Sequence, residues 1–138
     1  MATTERKMME NAIKQEVIPI LREQGFKGSF PHLRTVNETN IDLITFQFNK
    51  WGGSFVIELA TCPKEGTTMY FGEKIPPTKV TAHHINERFR LGAKFLEDDG
   101  IWFSYEDALT DEDYAKVAQS ALKLLKTSDA AWIKSLFQ

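Results

Sequence analysis

The residues whose types could do chemistry are concentrated in one short stretch, which reads HHINERFRL over residues 83–91. Successive side chains of a β-strand point to opposite faces, so His84, Arg88 and Arg90 are predicted to share one face while Phe89 points to the core. The planar guanidinium of arginine suits a carboxylate or a phosphate in a way that the ammonium of lysine does not. This face is therefore a candidate site for an anionic ligand.

A neighbouring strand is expected to add a carboxylate to the same face. If Glu58, Thr45 and Gln47 point the same way as the arginines, the sheet presents a polar surface that carries both signs of charge. The plainer interpretation is a solvated face with cross-strand pairs such as Glu58–Arg88, each worth roughly 0.2–1 kcal/mol. Mixed charge is normal on an exposed sheet, so the sequence favours the plainer interpretation.

Three histidines raise the hypothesis of a zinc site. His83 and His84 are adjacent on a predicted strand, so their side chains point to opposite faces and cannot easily share one ion with His32. The only cysteine, Cys62, lacks the paired spacing of zinc ribbons and fingers, and it ends an apolar strand, where a thiol is usually inert. We expect neither a metal site nor a catalytic cysteine.

Two acidic clusters, at 97–99 and 111–113, could supply paired carboxylates for acid–base catalysis. The first precedes Gly100 and is explained by a hairpin turn, and the second suits the positive end of a helix dipole. Gly52-Gly53 lacks the lysine and the glycine spacing of a phosphate-binding loop. The sequence thus predicts no catalytic residue and no bound cofactor.

Trp51 stands beside the predicted turn at Gly52-Gly53, which is an uncommon place for a large apolar ring. It can fold back as a lid on the core, or it can stay exposed as an anchor for a partner. The sequence leaves both alternatives open.

The composition is that of a folded globular domain, with 138 residues, 42% hydrophobic and 26% charged. Lys and Arg number 17 against 19 Asp and Glu, so the net charge of −2 gives no broad electrostatic reason to bind nucleic acid or a membrane. A single cysteine excludes an intramolecular disulfide, and neither a secretory signal nor a membrane-spanning stretch is present. We expect one cytoplasmic domain over residues 1–138.

The first half of the chain predicts a helix over residues 4–24, capped by Thr4 and bent or divided at Pro19. A strand is predicted at 28–36, with Pro31 confining it to an edge or a bulge, and an antiparallel pair at 41–49 and 55–60 follows. The long loop over residues 63–81 is expected to be pinned to the body by two aromatic side chains, Tyr70 and Phe71.

The second half predicts a strand from His83, a turn at Asp99-Gly100 and a returning strand at 101–105. A helix should begin at Thr110. Thr127 or Ser128 is expected to cap a last helix whose core side chains are Trp132, Ile133, Leu136 and Phe137. The predicted fold is α+β, a mainly antiparallel sheet of about five strands with one N-terminal and two C-terminal helices packed on one face.

Three stretches resemble a bacterial family, namely LREQGFK at 21–27, TFQFNKWGGSF at 45–55 and RFRLG at 88–92, and Ile101-Trp102-Phe103 is similar to that family's late aromatic strand. The family is catalogued as domain of unknown function 4304, and the resemblance covers most of the chain. It implies no catalytic residue or cofactor. Some members are regarded as immunity proteins against partner toxins, a role that the resemblance permits, although the nearly balanced charge departs from the acidic character useful against nuclease toxins.

Together these observations favour a non-enzymatic protein that recognises a protein partner. The expected contact surfaces are the polar sheet face, the Trp51 turn and the long middle loop. The alternative is a binder of small anionic ligands, or an enzyme of unassigned type, that uses Arg88 and Arg90 in a concave site.

Overall fold

The computed structural model describes residues 3–94 and 98–128, and it has the predicted α+β architecture with a mainly antiparallel sheet of five strands. The predicted last helix, after Ser128, lies outside the described residues. The helices are α1 Thr4–Glu16, α2 Ile18–Glu23 and α3 Asp111–Lys126, a short 3-10 helix spans Ala82–His84, and the strands are β1 His32–Val36, β2 Asn40–Phe48, β3 Ser54–Pro63, β4 Thr67–Thr68, β5 Lys74–Ile75, β6 Phe89–Arg90 and β7 Phe103–Ser104.

The N-terminal helix is divided at the position that proline predicts. α1 ends at Glu16, and α2 carries Pro19 in its first turn, where the missing backbone N–H has no partner to lose. The predicted cap is wrong by one residue, because it is the side chain of Thr3 that accepts the N–H of Arg6, at 3.1 Å.

The β2–β3 hairpin is the centre of the sheet, and its prediction is confirmed. The two strands pair in antiparallel register from Asn40 opposite Pro63 to Phe48 opposite Phe55. Gly52 and Gly53 form the turn with φ of 88° and 80°, a conformation that is open to glycine and strained for other residues. The strand order is β1-β2-β3-β6, and β7 also pairs with β3.

One face of the sheet packs against all three helices and holds the larger core. The alternation predicted for β2 and β3 puts Ile44, Phe46, Ile57 and Leu59 on this face. The helices contribute the buried side chains Met9, Ala12, Ile13, Ile18, Leu21, Tyr114, Ala118, Ala121 and Leu125, and Val17 joins them from between α1 and α2. The helices therefore cover one face, as the sequence predicts.

The opposite face is also covered, which the sequence did not predict. Residues 64–88, which we call the crossing segment, run over this face between β3 and β6. Their buried residues Ile75, Val80 and Ala82 pack on a second apolar cluster, to which the sheet contributes Ile41, Leu43, Ala60 and Cys62. Because both faces of β2 and β3 are buried, these strands read as nearly continuous apolar runs.

Three predictions about the strands are wrong. Residues 82–84 form a 3-10 helix in place of the strand predicted from His83, because the side chains of Thr81 and His84 form a capping box there. The strand predicted at 28–36 begins only at His32. The strands on either side of Gly100 were predicted as a hairpin, but both β6 and β7 pair with β3 along one edge.

Candidate functional site

A row of polar residues crosses the sheet on the face opposite the helices. His32 of β1 lies opposite Thr45 of β2, which lies opposite Glu58 of β3, which lies opposite Arg90 of β6. Residues in one row across neighbouring strands project from the same face, so four strands each add one group to a single polar row.

Glu58 is the centre of this row, and its side chain is only 4% exposed. Its Oε2 accepts from Nε of Arg88 at 2.9 Å and lies 3.9 Å from Nε of Arg90, while its Oε1 lies 3.0 Å from Nε2 of His83. The predicted Glu58–Arg88 pair is present, but the expected solvent exposure of Glu58 and Thr45 is wrong. A carboxylate this buried needs such partners, since an unpaired buried charge is strongly destabilising.

The histidines extend the polar row toward β1. Nδ1 of His32 is 3.0 Å from the hydroxyl of Thr45, and its ring meets that of His83 edge to face at a centroid distance of 5.4 Å. Burial lowers the pKa of His32, and the neighbouring His83, His84 and Arg34 lower it further. The neutral imidazole is therefore favoured at this end of the row.

His84 is separate from the polar row, contrary to its predicted position beside the arginines. The backbone N–H of Thr81 donates to its Nδ1 at 2.9 Å. An Nδ1 that accepts leaves the proton of the neutral ring on Nε2, so His84 offers an N–H donor. His83, which was not among the predicted site residues, takes the place beside Glu58 instead.

A polar cleft of about 460 Å³ lies beside the two arginines. It is lined by Glu58, Asn86, Arg88, Phe89, Arg90, Asp98 and Asp99. The guanidinium of Arg90 pairs with Asp99 at 3.5 Å and lies 5.2 Å from the ring centre of Trp102, while Nη1 of Arg88 donates to the carbonyl of Ile85. We call this the arginine cleft; its lining carries three carboxylates for two guanidinium groups.

Trp51 lies away from both features, at the β2–β3 turn. Its side chain is 84% exposed, so the alternative in which it covers the core is wrong. Lys50 lies over the ring, with Nζ 5.1 Å from the centroid, and the backbone N–H of Trp51 donates to Oδ1 of Asn49 at 2.9 Å. The turn presents the indole to solvent.

A second exposed aromatic feature was mispredicted. Tyr70 and Phe71 do not pin the crossing segment to the body, because they are 93% and 60% exposed. They stand at the tip of the β4–β5 hairpin, which is closed by a bond of 2.8 Å from the Met69 N–H to the Glu73 carbonyl. Their rings meet edge to face, with centroids 5.0 Å apart and planes at 85°. We call this pair the aromatic tip; the signal in the sequence is Gly72 directly after the two aromatic residues, which is typical of a turn.

The aromatic tip borders a cleft of about 500 Å³, which we call the edge cleft. Its walls are the end of β3 at 60–63, the β4 arm at 67–70, and residues 84–87 with Phe89. Buried Ala60 and Cys62 and the half-buried Met69 and Ile85 make its floor apolar, whereas Thr61, Asn86 and Glu87 make its rim polar.

The thiol of Cys62 is unsuited to nucleophilic chemistry. The residue is buried, and burial raises the pKa of the thiol, with the nearby Asp42 charge raising it further. Among residues 3–94 and 98–128, no three His, Cys, Asp or Glu side chains are grouped so that they could hold a metal ion. Within the same ranges, no helix has the length and apolar character that crossing a bilayer requires.

No curated protein and no solved structure matches the chain. A family model does match, over residues 17–135, and its description is Domain of unknown function (DUF4304). The match includes the polar row, the arginine cleft, the edge cleft and the aromatic tip. Because it spans most of the 138 residues, the chain belongs to the DUF4304 family.

Proposed function

We propose that the chain is a non-catalytic binding protein that recognises a protein partner through the aromatic tip. The observation that carries the proposal is the exposure of Tyr70 and Phe71, 93% and 60%, on a closed hairpin. Tyr and Trp are enriched among the residues that dominate protein interfaces, because a large ring buries much apolar area while few rotamers are lost. Two adjacent rings packed against each other form such an anchor before any partner arrives.

The ionisable groups of the polar row, and His84 outside it, support binding over catalysis. Glu58 is held by Arg88 and His83, and His84 is fixed by Thr81, so these groups already have structural partners. A general base or acid must reach a substrate proton, and Glu58 is turned inward toward its own cations. The polar row fastens the crossing segment to the sheet and so positions the hairpin that carries the aromatic tip.

The proposal also includes the cellular location of the protein and the kind of partner that it binds. With a near-neutral net charge of −2 and one buried thiol, we propose a cytoplasmic protein. An immunity-type role, in which the partner is a toxin, is one version of this proposal. Its support is the family resemblance, and the identity of a captured partner decides it.

The test is quantitative capture from an extract of the source cells, with tagged protein and mass spectrometry. Tyr70→Ala together with Phe71→Ala should reduce recovery of a stoichiometric partner by about tenfold or more, since anchor residues contribute ~2 kcal/mol or more. Leu109→Ala is the matched control, because Leu109 is also 85% exposed but belongs to a different loop. It should leave recovery unchanged, and Trp51→Ala tests the second exposed ring.

Equal recovery by the double variant and by the wild type would contradict the role of the aromatic tip. Recovery of no partner, under conditions in which a known complex survives, would contradict the proposal itself. Circular dichroism of each variant shows whether the fold is retained.

The second candidate is a binder of small anionic ligands at the arginine cleft. The observation in its favour is that Arg88 and Arg90 line one cleft of about 460 Å³. Glu58, Asp98 and Asp99 share that cleft, and together they offset the charge of the two arginines, so we rank this function second. Calorimetric titration with inorganic phosphate tests it. Saturable binding that is lost in Arg90→Gln would raise it above the first.

A further inference from the structure

We propose that the edge cleft binds an extended peptide of the partner by adding a strand to the free edge of β3. This inference rests on the proposed function and names the segment of the partner that is recognised. Its basis is that, within the described residues, no strand pairs with the outer edge of β3 at Thr61, and that an apolar floor lies beside this edge.

The edge of β3 is open at its C-terminal end. β7 pairs with Ser54 and Phe55 and β6 pairs with Glu58 and Leu59, and in the described part of the chain no strand continues along this edge. The carbonyl of Ile57 accepts the N–H of Leu91, so the backbone groups of the odd-numbered residues of β3 point away from β2. By the same alternation, the N–H and C=O of Thr61 point into the edge cleft.

The chain after β3 keeps this edge open. The 3-10 helix and the turn at 86–87 carry the chain away from β3, and β6 begins only at Phe89. Two contacts hold this path, the Thr81–His84 capping box and the Arg88 bonds to Glu58 and Ile85. An unpaired edge is usually blocked by a charge, a proline or a covering segment. Pro63 ends this edge two residues further on, and Thr61, which is exposed, is the position left open before it.

The opposite wall of the edge cleft offers a second edge. Directly after β4 the N–H of Met69 bonds across the hairpin to the carbonyl of Glu73, so the backbone groups of the preceding Thr68 point away from β5. Thr68 lines the edge cleft. Two strand edges therefore border one cleft, and backbone amides of an extended peptide are the groups that complement such edges.

The side chains around the edge cleft specify the peptide further. The floor of Ala60, Cys62 and Ile85 suits one apolar side chain. Of the described residues that line the cleft, Glu87 is the one carboxylate, and none is a lysine or an arginine. His84 adds an N–H donor for a peptide carbonyl. The occupant is thus an extended peptide with an apolar residue followed or preceded by a basic one.

The test uses a phage library of random peptides of about twelve residues, which in extended form exceed the length of the cleft. Peptides selected on the wild type are then measured against two variants. Thr61→Pro removes the edge N–H and leaves the β2–β3 ladder intact, because that N–H points away from β2; Thr61→Ala changes the side chain and keeps the N–H. We expect affinity to fall about tenfold or more in Thr61→Pro and to be retained in Thr61→Ala.

A second measurement needs no variant of the protein. N-methylation of a selected peptide, one amide at a time, should abolish binding at the amides that pair with the edges of β3 and β4 and leave it unchanged at amides that extend beyond the cleft. Selected peptides whose affinity is changed neither by Thr61→Pro nor by N-methylation would overturn the inference, and so would a failure to select any peptide. Self-association of the chain that disappears in Thr61→Pro would also overturn it, in favour of a second copy at this edge. If partner capture still depends on the aromatic tip in any of these cases, the proposed function stands without the inference.

Discussion

At the scale of single residues, the central strand of the sheet carries a charged side chain, Glu58, at a buried position. Glu58 lies in the middle of the central hairpin, where Arg88 and Arg90 balance its charge and Nε2 of His83 lies 3.0 Å from its Oε1. These partners arrive from the crossing segment and from β6. Removing one member of such a network leaves its partners without a counter-charge. We therefore expect the loss of Glu58 to lower the stability of the protein.

The first prediction concerns Glu58→Gln. We expect it to lower the free energy of unfolding by about 1–3 kcal/mol, because the neutral amide cannot balance Arg88 and places its own NH2 beside cations. Urea denaturation measures the change. Asp99→Asn is the control, since Asp99 is 87% exposed and Arg90 is its one ion-pair partner among the described residues; it should change stability by about 0.5 kcal/mol or less. Equal effects of the two variants would refute a structural role for Glu58.

A second prediction concerns Asp42, which is 5% exposed, with one carboxylate oxygen bonded to the Asn37 amide at 3.2 Å and the other lacking a partner among the described residues. Burial raises the pKa of Asp42, and the Asn37 bond only partly offsets this. The folded state thus keeps the proton to higher pH than the unfolded state. Stability must fall as pH rises from the ordinary value of 3.8 through the raised pKa.

Asp42→Asn removes that loss. The stability of the variant relative to the wild type should increase over this pH window and then level off, as measured by urea denaturation in a pH series. Asp113→Asn provides a control of opposite sign, because the backbone N–H groups of Leu109 and Thr110 lower the pKa of Asp113. That variant should be less stable than the wild type at neutral pH, with the difference disappearing as pH falls below 3.8 through the lowered pKa. A flat Asp42→Asn profile would contradict the assignment.

At the scale of elements, the local signals in the sequence decide where helices begin. α3 begins with a capping box in which Thr110 accepts the N–H of Asp113 at 3.2 Å and the Asp113 carboxylate accepts the N–H of Thr110 at 3.1 Å. This reciprocal pair satisfies two backbone donors that a helix leaves open at its start.

The third prediction is that Thr110→Ala destabilises the protein by about 1 kcal/mol, since it removes the hydroxyl that caps the helix. Chemical denaturation gives the value. Ser120→Ala is the matched control: Ser120 is exposed on the same helix, and its hydroxyl bonds only to the Lys116 carbonyl, so stability should be unchanged or slightly higher. A Thr110→Ala variant as stable as the control would mean that packing alone sets the start of α3.

Sequence reasoning succeeded where a local pattern and the tertiary environment agree. The split at Pro19, the turn at Gly52-Gly53 and the cap at Thr110 all depend on the chemistry of one or two residues. The central hairpin was predictable because its apolar alternation is long. Arg88 was paired with Glu58 correctly, since opposite charges in neighbouring strands attract.

Prediction from the sequence failed where contacts with a distant segment of the chain determine the local structure. Nothing local shows that residues 64–88 fold over the sheet, so Glu58 was expected in solvent. His83 was assigned to a strand because the competing signal, the side-chain cap between Thr81 and His84, is weak in sequence. Tyr70 and Phe71 were predicted to be buried because aromatic residues usually are, and exposure at a hairpin tip overrides that preference.

At the scale of the whole molecule, one sheet separates two apolar clusters of unequal size. The helix side joins residues from α1, α2, α3 and four strands, whereas the other side depends on the crossing segment. The smaller cluster has fewer buried side chains, so the crossing segment should open at lower cost than the helical layer.

The fourth prediction follows from this difference. Val80→Ala removes two buried methyl groups from the smaller cluster, at a cost of roughly 1–3 kcal/mol, and should raise hydrogen exchange and protease cleavage within residues 64–88 first. Leu125→Ala in the larger cluster should instead speed exchange throughout the molecule. Uniform loss of protection in Val80→Ala would show that the two clusters unfold as one unit.

The crossing segment also leaves and rejoins the sheet beside the same strand. It follows Pro63 at the end of β3 and leads into Phe89, which pairs with Leu59 of β3. The entropy of closing a loop depends only on the logarithm of its length, so adding or removing a few residues from about 25 changes the free energy by a few tenths of a kcal/mol. The tip of the hairpin at residues 70–72 lies outside both apolar clusters, so a change of length or sequence there costs less than elsewhere in the crossing segment. This tip is therefore a natural position for grafting new sequences.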